Sequence, residues 1–148
     1  MKDRRAKRPW ARWLMLAVAI LELWLIWSDI QNYQQIAAAD IFSPEGFAAW
    51  AAERRFEWLI DGTLAATFLF GFITWKVPQN TRKMHLATGI LTGLLGLVWQ
   101  TSIWALPFRL LDGRNKFLWC IMVVVLLGSM GYEFWHYHKL RKSTLDIV

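Results

Sequence analysis

Cysteine is nearly absent from this sequence: Cys120 is the only one among 148 residues. One cysteine excludes an internal disulfide, and the lack of a Cys-x-x-Cys-His motif excludes covalently attached haem. The sequence also lacks a Gly-x-Ser-x-Gly turn, a glycine-rich phosphate loop and a His-Glu-x-x-His helix. These motifs are typical of hydrolases, nucleotide-binding enzymes and zinc proteases. We therefore expect a non-enzymatic protein.

Charged residues are also scarce, at 19% of the sequence, whereas hydrophobic residues make up 56%. The hydrophobic residues form four runs, each long enough to cross a hydrocarbon core of about 30 Å as a helix of about 20 residues. The runs cover 13–30, 56–75, 84–106 and 117–135. Little chain remains outside them, so residues 1–148 are expected to form one membrane domain. The predicted fold is an all-α integral membrane protein, a four-helix transmembrane bundle.

Acidic residues are outnumbered by basic ones, 11 to 17, which gives a net charge of +6. Most Lys and Arg residues lie in the N-terminal segment, between the second and third runs, and in the C-terminal tail. The positive-inside rule therefore predicts that both termini are cytoplasmic, in the plasma (cytoplasmic) membrane. The lipid bilayer accounts for the basic charge, and no nucleic-acid partner is expected. We also expect the first run to be retained rather than cleaved as a leader near Ala37–Ala39, because those small residues lie far beyond it.

The longest connection, between the first two runs, contains the sequence Ser43-Pro44-Glu45. This pattern is typical of a helix start, because serine caps the helix, proline fits its first position and an acid complements its dipole. A helix over 44–54 would carry large apolar side chains on one side and charged ones on another. The sequence therefore predicts a short interfacial helix in this external loop.

The third run carries glycines in a helical repeat. Gly89, Gly93 and Gly96 fall on one helix face, and the small-x-x-x-small spacing allows two helices to approach closely in lipid. We interpret this face as a helix-packing surface. Its expected neighbour is another span of the same chain, and the alternative is a second protomer.

Two acids lie within the hydrophobic runs. Glu22 is near the middle of the first and Asp61 is inside the second, and a charge at such a position costs about 2.5 to 3.5 kcal/mol on insertion scales. Gln100 and Thr101 of the third run are expected at a similar depth. Two carboxylates in a poorly hydrated site either share protons or hold a cation, and this exchange is the minimal chemistry of an antiporter. Glu22, Asp61, Gln100 and Thr101 are thus a candidate proton, cation or substrate site.

The alternative interpretation of the two acids is structural. Asp61 would pair with Arg54, Arg55 or Arg109 near the membrane surface, and this pairing is the favoured interpretation for Asp61. Glu22 would be protonated and hydrogen-bonded between helices. For Glu22 the structural and functional interpretations are balanced.

Histidines are few, and two of them are expected at the same side of the membrane. His85 begins the third run and His136 follows the fourth, with Glu133 one turn before it. Two histidines from facing helices can ligate a haem iron, and His with Glu can bind a transition metal. We predict no cofactor, because hydrogen-bonded histidines at membrane surfaces are commoner than ligands, and we keep haem b at His85 and His136 as an alternative.

The leading functional hypothesis is a small polytopic membrane protein that is a non-enzymatic subunit of a membrane assembly. It would associate with copies of itself as a homo-oligomer, through Gly89, Gly93 and Gly96, or with larger membrane subunits. One alternative is a proton-coupled transporter of a small cation or amine that uses Glu22 and Asp61. Another is a haem- or quinone-binding redox subunit.

Overall fold

The computed structural model describes residues 9–39, 41–78, 81–105 and 108–145. These residues form four α-helices and one short 3-10 helix, and no strand occurs among them. The elements are α1 (Pro9–Ala39), α2 (Pro44–Ile73), α3 (Arg82–Ala105), the 3-10 helix (Phe108–Leu110) and α4 (Gly113–Leu145). The predicted all-α class is confirmed.

All four α-helices are long and apolar enough to cross a membrane. The chain is therefore a multi-pass membrane protein, as predicted. The helices extend beyond the hydrophobic runs: α1 has 31 residues and is about 45 Å long. It continues to Ala39 because the sequence has no Gly or Pro between Pro9 and Pro44. The basic residues at 2–8, which contribute to the predicted topology, lie outside the described residues.

The predicted start of α2 is confirmed in detail. Ser43 is the N-cap residue, its hydroxyl accepts a hydrogen bond from the Gly46 backbone N–H at 3.2 Å, and Pro44 is the first helical residue. The helix then continues without a break to Ile73. Residues 44–54 are thus the first part of a long helix and not a separate one, because no Gly or Pro interrupts the chain between Gly46 and the second hydrophobic run.

The helices divide into two structural units. The first contains α1, α2 and the connection Trp104–Asn115, and the second contains Lys76–Ile103 and Lys116–Val148, which include most of α3 and α4. Each unit is built on one pair of antiparallel helices.

In the first unit, contacts at both ends fix the register of α1 and α2. Near the start of α1, the Nε atom of Arg12 donates a hydrogen bond to the carbonyl oxygen of Phe72 at 3.4 Å, and the guanidinium lies 4.4 Å from the centroid of that ring. Near the other end, the Nε1 atom of Trp58 donates to Oδ2 of Asp29 at 2.8 Å. We call this second end, where α1 leads into α2, the loop end of the pair.

In the second unit, the glycine face of α3 lies against α4. A Cβ atom added to Gly89 would lie 3.4 Å from Cβ of Glu133, and one added to Gly93 would lie 2.8 Å from Sδ of Met130. Gly96 is buried as well. The missing side chains let the two helices approach closely within the unit, where larger residues would separate them.

Candidate functional site

Three carboxylates lie along the α1–α2 pair, from its middle to its loop end. Glu22 and Asp29 are two helical turns apart on one face of α1, and Asp29 contacts α2 through Trp58. The contacts at the two ends of the pair place Asp61 about one turn from each of these acids along the helix axes. Both acids also interact electrostatically with Asp61. We call Glu22, Asp61 and Asp29 the acid ladder.

The two inner members of the acid ladder have no partner among the described residues. No hydrogen bond or salt bridge reaches the carboxylate of Glu22 or Asp61 in that part of the chain. Both side chains are half-buried in the middle of helices that span the membrane. A charge inside a membrane-spanning helix is costly, and none of the described residues provides a counter-ion for these two. The carboxylates are therefore suited to gain a proton or a cation.

Asp29, in contrast, belongs to a charge cluster at the loop end. Arg54 contacts Glu57 with both terminal nitrogens, at 2.8 Å and 3.2 Å, and its Nη1 atom lies 3.7 Å from Oδ1 of Asp29. The other oxygen of Asp29 accepts the hydrogen bond from Trp58. Arg54 was one of the predicted partners of Asp61, but in the structure it binds these two acids instead.

Replacement of Arg54 should show how much this charge cluster contributes to stability. Arg54→Met keeps most of the side-chain length but leaves Asp29 and Glu57 without their cation. We expect the free energy of unfolding to fall by about 1 to 2 kcal/mol, less than for a fully buried pair because the Glu57 side chain is 46% exposed. Denaturant titration in mixed micelles would measure the change. Arg114→Met, at an exposed position of α4, is the control, and an equal effect of the two substitutions would contradict the prediction.

Aromatic side chains pack around the charge cluster at the loop end. Tyr33 of α1 is stacked on Trp50 at 5.3 Å between ring centroids, and it meets the edge of Trp58 at 5.4 Å. Phe47 lies 5.8 Å from Tyr33, and Phe42 is stacked on Trp50 at 5.8 Å. We call these five residues the aromatic cluster. Tyr33 was not predicted to be a site residue, because its role depends on contacts with rings of the next helix.

Gln100 and Thr101 belong to the second unit and are exposed there. The hydroxyl of Thr101 donates to the carbonyl oxygens of Leu97, at 2.8 Å, and Val98, at 3.2 Å. Such bonds satisfy the hydroxyl within its own helix. The structure therefore gives Thr101 a local role and gives Gln100 no partner among the described residues.

The predicted histidine site is formed by α3 and α4. Nδ1 of His85 lies 2.6 Å from Oε2 of Glu133, and both side chains are largely buried, at 13% and 19% exposure. The ring of His136 is stacked on that of His85, with 5.2 Å between centroids, and Tyr132 contacts His136 from the same helix. The sequence therefore identified residues that do come together.

The close contact of His85 and Glu133 gives the histidine a fixed orientation. A carboxylate bonded to Nδ1 holds the imidazole ring in place and leaves Nε2 for another interaction. Among the described residues, however, no three His, Cys, Asp or Glu side chains form a group suited to a metal ion. The contact between His85 and Glu133 joins α3 to α4.

Comparison of the chain with protein-family models, with curated proteins and with solved structures found no match.

Proposed function

We propose that this protein is a proton-coupled transporter of a small cation or amine, with Glu22 and Asp61 as the residues that exchange the proton and the substrate. One observation carries the proposal: two neighbouring carboxylates lie at mid-span in the α1–α2 pair, and neither has a partner among the described residues.

The electrostatic cost of two ionised carboxylates explains why this site would bind a proton or a cation. Each ionised carboxylate is costly in the membrane interior, by about 2.5 to 3.5 kcal/mol on insertion scales, and two neighbouring negative charges also repel each other. Either a bound proton or a bound cation neutralises negative charge and so lowers this free-energy cost. Glu22 and Asp61 would therefore alternate between a protonated state and a cation-bound state, which couples the movement of one to that of the other.

Asp29 extends the same site toward the loop end. It lies about one helical turn beyond Asp61 along the pair and is partly neutralised by Arg54. A cation that leaves the mid-span acids can be stabilised there before it reaches water. The acid ladder thus provides carboxylates at short intervals between the middle of the membrane and its surface.

The proposal includes a topology. Both termini are cytoplasmic and the loop end is external, which is supported by the distribution of Lys and Arg along the sequence. The first turns of α2, from Pro44 to about residue 54, then lie in the external headgroup layer. The aromatic side chains of that segment suit this layer, where their rings contact lipid and their polar groups contact water.

Reconstitution tests the transport function. The purified protein is placed in lipid vesicles with an imposed pH gradient, and an internal pH-sensitive dye reports proton movement as sodium, potassium or a small amine is added outside. We expect at least one of these cations to accelerate proton movement relative to protein-free vesicles. If none does, the proposed transport function is wrong.

A second candidate is a non-enzymatic subunit of a membrane assembly, and Gln100 favours it. This amide is exposed on a membrane-spanning helix and has no hydrogen-bond partner among the described residues. In lipid, a glutamine side chain is stabilised when a neighbouring helix provides a partner. The neighbour would be a larger membrane subunit or a second copy of the chain. Native mass spectrometry from lipid discs would detect the assembly, and Gln100→Leu should weaken it.

A further inference from the structure

A cavity of about 270 Å³ opens at the loop end of the α1–α2 pair. Its lining comes from the last turn of α1, the connection and the first turn of α2. The lining residues are Ile36, Ala37, Ile41, Phe42, Pro44 and Phe47. The volume lies just below the range of about 300 to 1,000 Å³ that is usual for ligand pockets, so the cavity suits a small organic molecule.

The aromatic cluster borders this cavity. Phe42 and Phe47 line it directly, and both contact Trp50, with 5.8 Å and 5.7 Å between ring centroids. Tyr33 contacts Phe47 and Trp50 from α1. Phe42 and Phe47 thus give the cavity two aromatic rings, and aromatic rings bind quaternary ammonium groups because the negative face of each ring attracts the cation.

The charges around the cavity also favour a cation. Ile36 and Ala37 belong to the last turn of α1, where the helix dipole is negative, and no basic side chain occurs in that turn. The opposing helix start carries Glu45 in its first turn and is capped by Ser43. The nearby Arg54 is engaged by Glu57.

The cavity is connected to the acid ladder by direct contacts. Phe47 contacts Tyr33, Tyr33 contacts Trp58, and the Nε1 atom of Trp58 donates to Asp29. Asp29 is the outermost member of the acid ladder. A cation bound by the rings is therefore separated from the carboxylates only by a short path along the same helix pair.

We propose that the cavity binds a small quaternary ammonium or similar organic cation, which is the substrate class of the transport site; this assignment rests on the proposed function. Phe42 and Phe47 provide the aromatic binding surface for the cation, and the acid ladder provides the negative charges toward which it moves. Phe42 and Phe47 are specificity-determining residues, since their rings attract a cation more strongly than a neutral molecule of the same shape, and Trp50 is a positioning residue that contacts both rings.

Binding of a matched pair of probes tests this assignment. Choline and 3,3-dimethyl-1-butanol have nearly the same shape, but only choline carries a positive charge. Isothermal titration calorimetry of the full chain in lipid discs should show choline binding and at least about tenfold weaker binding of the neutral alcohol. In discs of phosphatidylglycerol, no choline binding or equal binding of the two probes would overturn the inference.

Substitutions in the aromatic cluster locate the binding site. Trp50→Leu and Tyr33→Leu should each weaken choline binding about tenfold, because each removes a ring that holds Phe42 or Phe47 in place at the cavity. Phe42→Leu, in the connection before α2, should weaken it as well and is less disruptive to helix packing. Trp24→Leu is the matched control, because Trp24 is 59% exposed elsewhere on α1. Unchanged affinity in Phe42→Leu together with either of the other two variants would place the bound cation elsewhere and refute the assignment.

Two further comparisons separate the inference from related possibilities. Glu22→Gln should lose proton movement, and adding Phe42→Leu to this variant should still weaken its choline binding; a choline affinity that Phe42→Leu no longer changes would refute a separate aromatic site. If the unchanged protein binds choline through the aromatic cluster but moves no protons, the cation site is supported and the transport function is wrong.

A lipid headgroup is another source of the same chemistry, because phosphatidylcholine carries a trimethylammonium group. Choline titrations in discs of phosphatidylglycerol and of phosphatidylcholine distinguish the two sources. Equal affinity in both lipids supports a soluble cation as the ligand. Binding that occurs only in phosphatidylglycerol supports the quaternary ammonium site with the lipid headgroup as its occupant.

Discussion

Vesicles that contain the Glu22→Gln protein should lose cation-dependent proton movement, with a rate at least about tenfold below that of the unchanged protein. Glutamine has almost the shape of a protonated glutamate and can still form hydrogen bonds, but it cannot release a proton or bind a cation by charge. The substitution therefore removes the proposed exchange without removing a structural hydrogen bond. The same vesicle assay with an internal pH dye measures the effect.

Three companion variants make this prediction specific. Asp61→Asn should have a similar effect, because Asp61 is the other mid-span acid without a partner in the described chain. Glu22→Asp keeps the carboxylate and should retain measurable proton movement. Asp112→Asn removes an exposed acid just before α4, keeps a side-chain oxygen for the bond from the Asn115 backbone N–H, and is the control, with an expected rate near that of the unchanged protein.

The result also decides between the two interpretations of Glu22. If the Glu22→Gln protein folds normally and moves protons at the original rate, Glu22 is a structural side chain whose hydrogen-bonding capacity is sufficient. The proposed exchange mechanism would then be wrong, because it requires a carboxylate at Glu22 that binds and releases a proton. Normal folding is checked by the free energy of unfolding, which should change by less than about 1 kcal/mol for this nearly isosteric substitution.

Gly93→Leu should lower the free energy of unfolding by about 3 kcal/mol, the upper end of the usual range for overpacking. A Cβ atom at this position would lie only 2.8 Å from Sδ of Met130 and 3.5 Å from its Cγ atom. The rest of the leucine side chain would enter the same narrow space. α3 and α4 would have to separate, and the His85–Glu133 contact depends on their close approach.

A matched glycine in α4 controls for the general effect of adding a leucine. A Cβ atom on Gly128 would meet nothing within 4 Å, so Gly128→Leu should change the free energy of unfolding by less than about 0.5 kcal/mol. Denaturant titration in mixed micelles compares the two variants. Similar stability of both would contradict the packing described for α3 and α4.

The same variants distinguish packing within the chain from packing between chains. If Gly93→Leu leaves the stability unchanged but abolishes an oligomer seen by native mass spectrometry, the glycine face serves self-association. A loss of stability in the monomer would instead show that α4 of the same chain is the partner that the glycines accommodate.

The sequence predicted the local features of this protein well. Four hydrophobic runs predicted four membrane-spanning helices, because the length and composition of a segment suffice for that conclusion. Ser43 and Pro44 predicted the start of α2, because a helix cap involves only neighbouring residues. The interfacial helix over 44–54 was not found as a separate element, since the sequence contains a start signal but no stop before the second hydrophobic run.

Only the tertiary structure shows which residues lie against the glycines of α3 and which acids bind Arg54. The spacing of Gly89, Gly93 and Gly96 indicated a packing face, but only the structure shows α4 against it. Arg54 was expected near Asp61, yet it binds Glu57 and Asp29. The contact with Glu57 is an i,i+3 pair within α2, whereas the contact with Asp29 depends on the register of two antiparallel helices, which the sequence of one helix does not contain.

The sequence by itself thus determined the class of the protein, the number of its membrane-spanning helices and the presence of acids in the first two of them. Only the tertiary structure placed Glu22 about one turn from Asp61, joined Asp29 to Trp58 and formed the aromatic cluster, two of whose rings line a cavity. The physical reason is the range of the interactions involved. Hydrophobicity and helix capping act along a single segment, whereas electrostatic and ring contacts depend on how two distant segments meet.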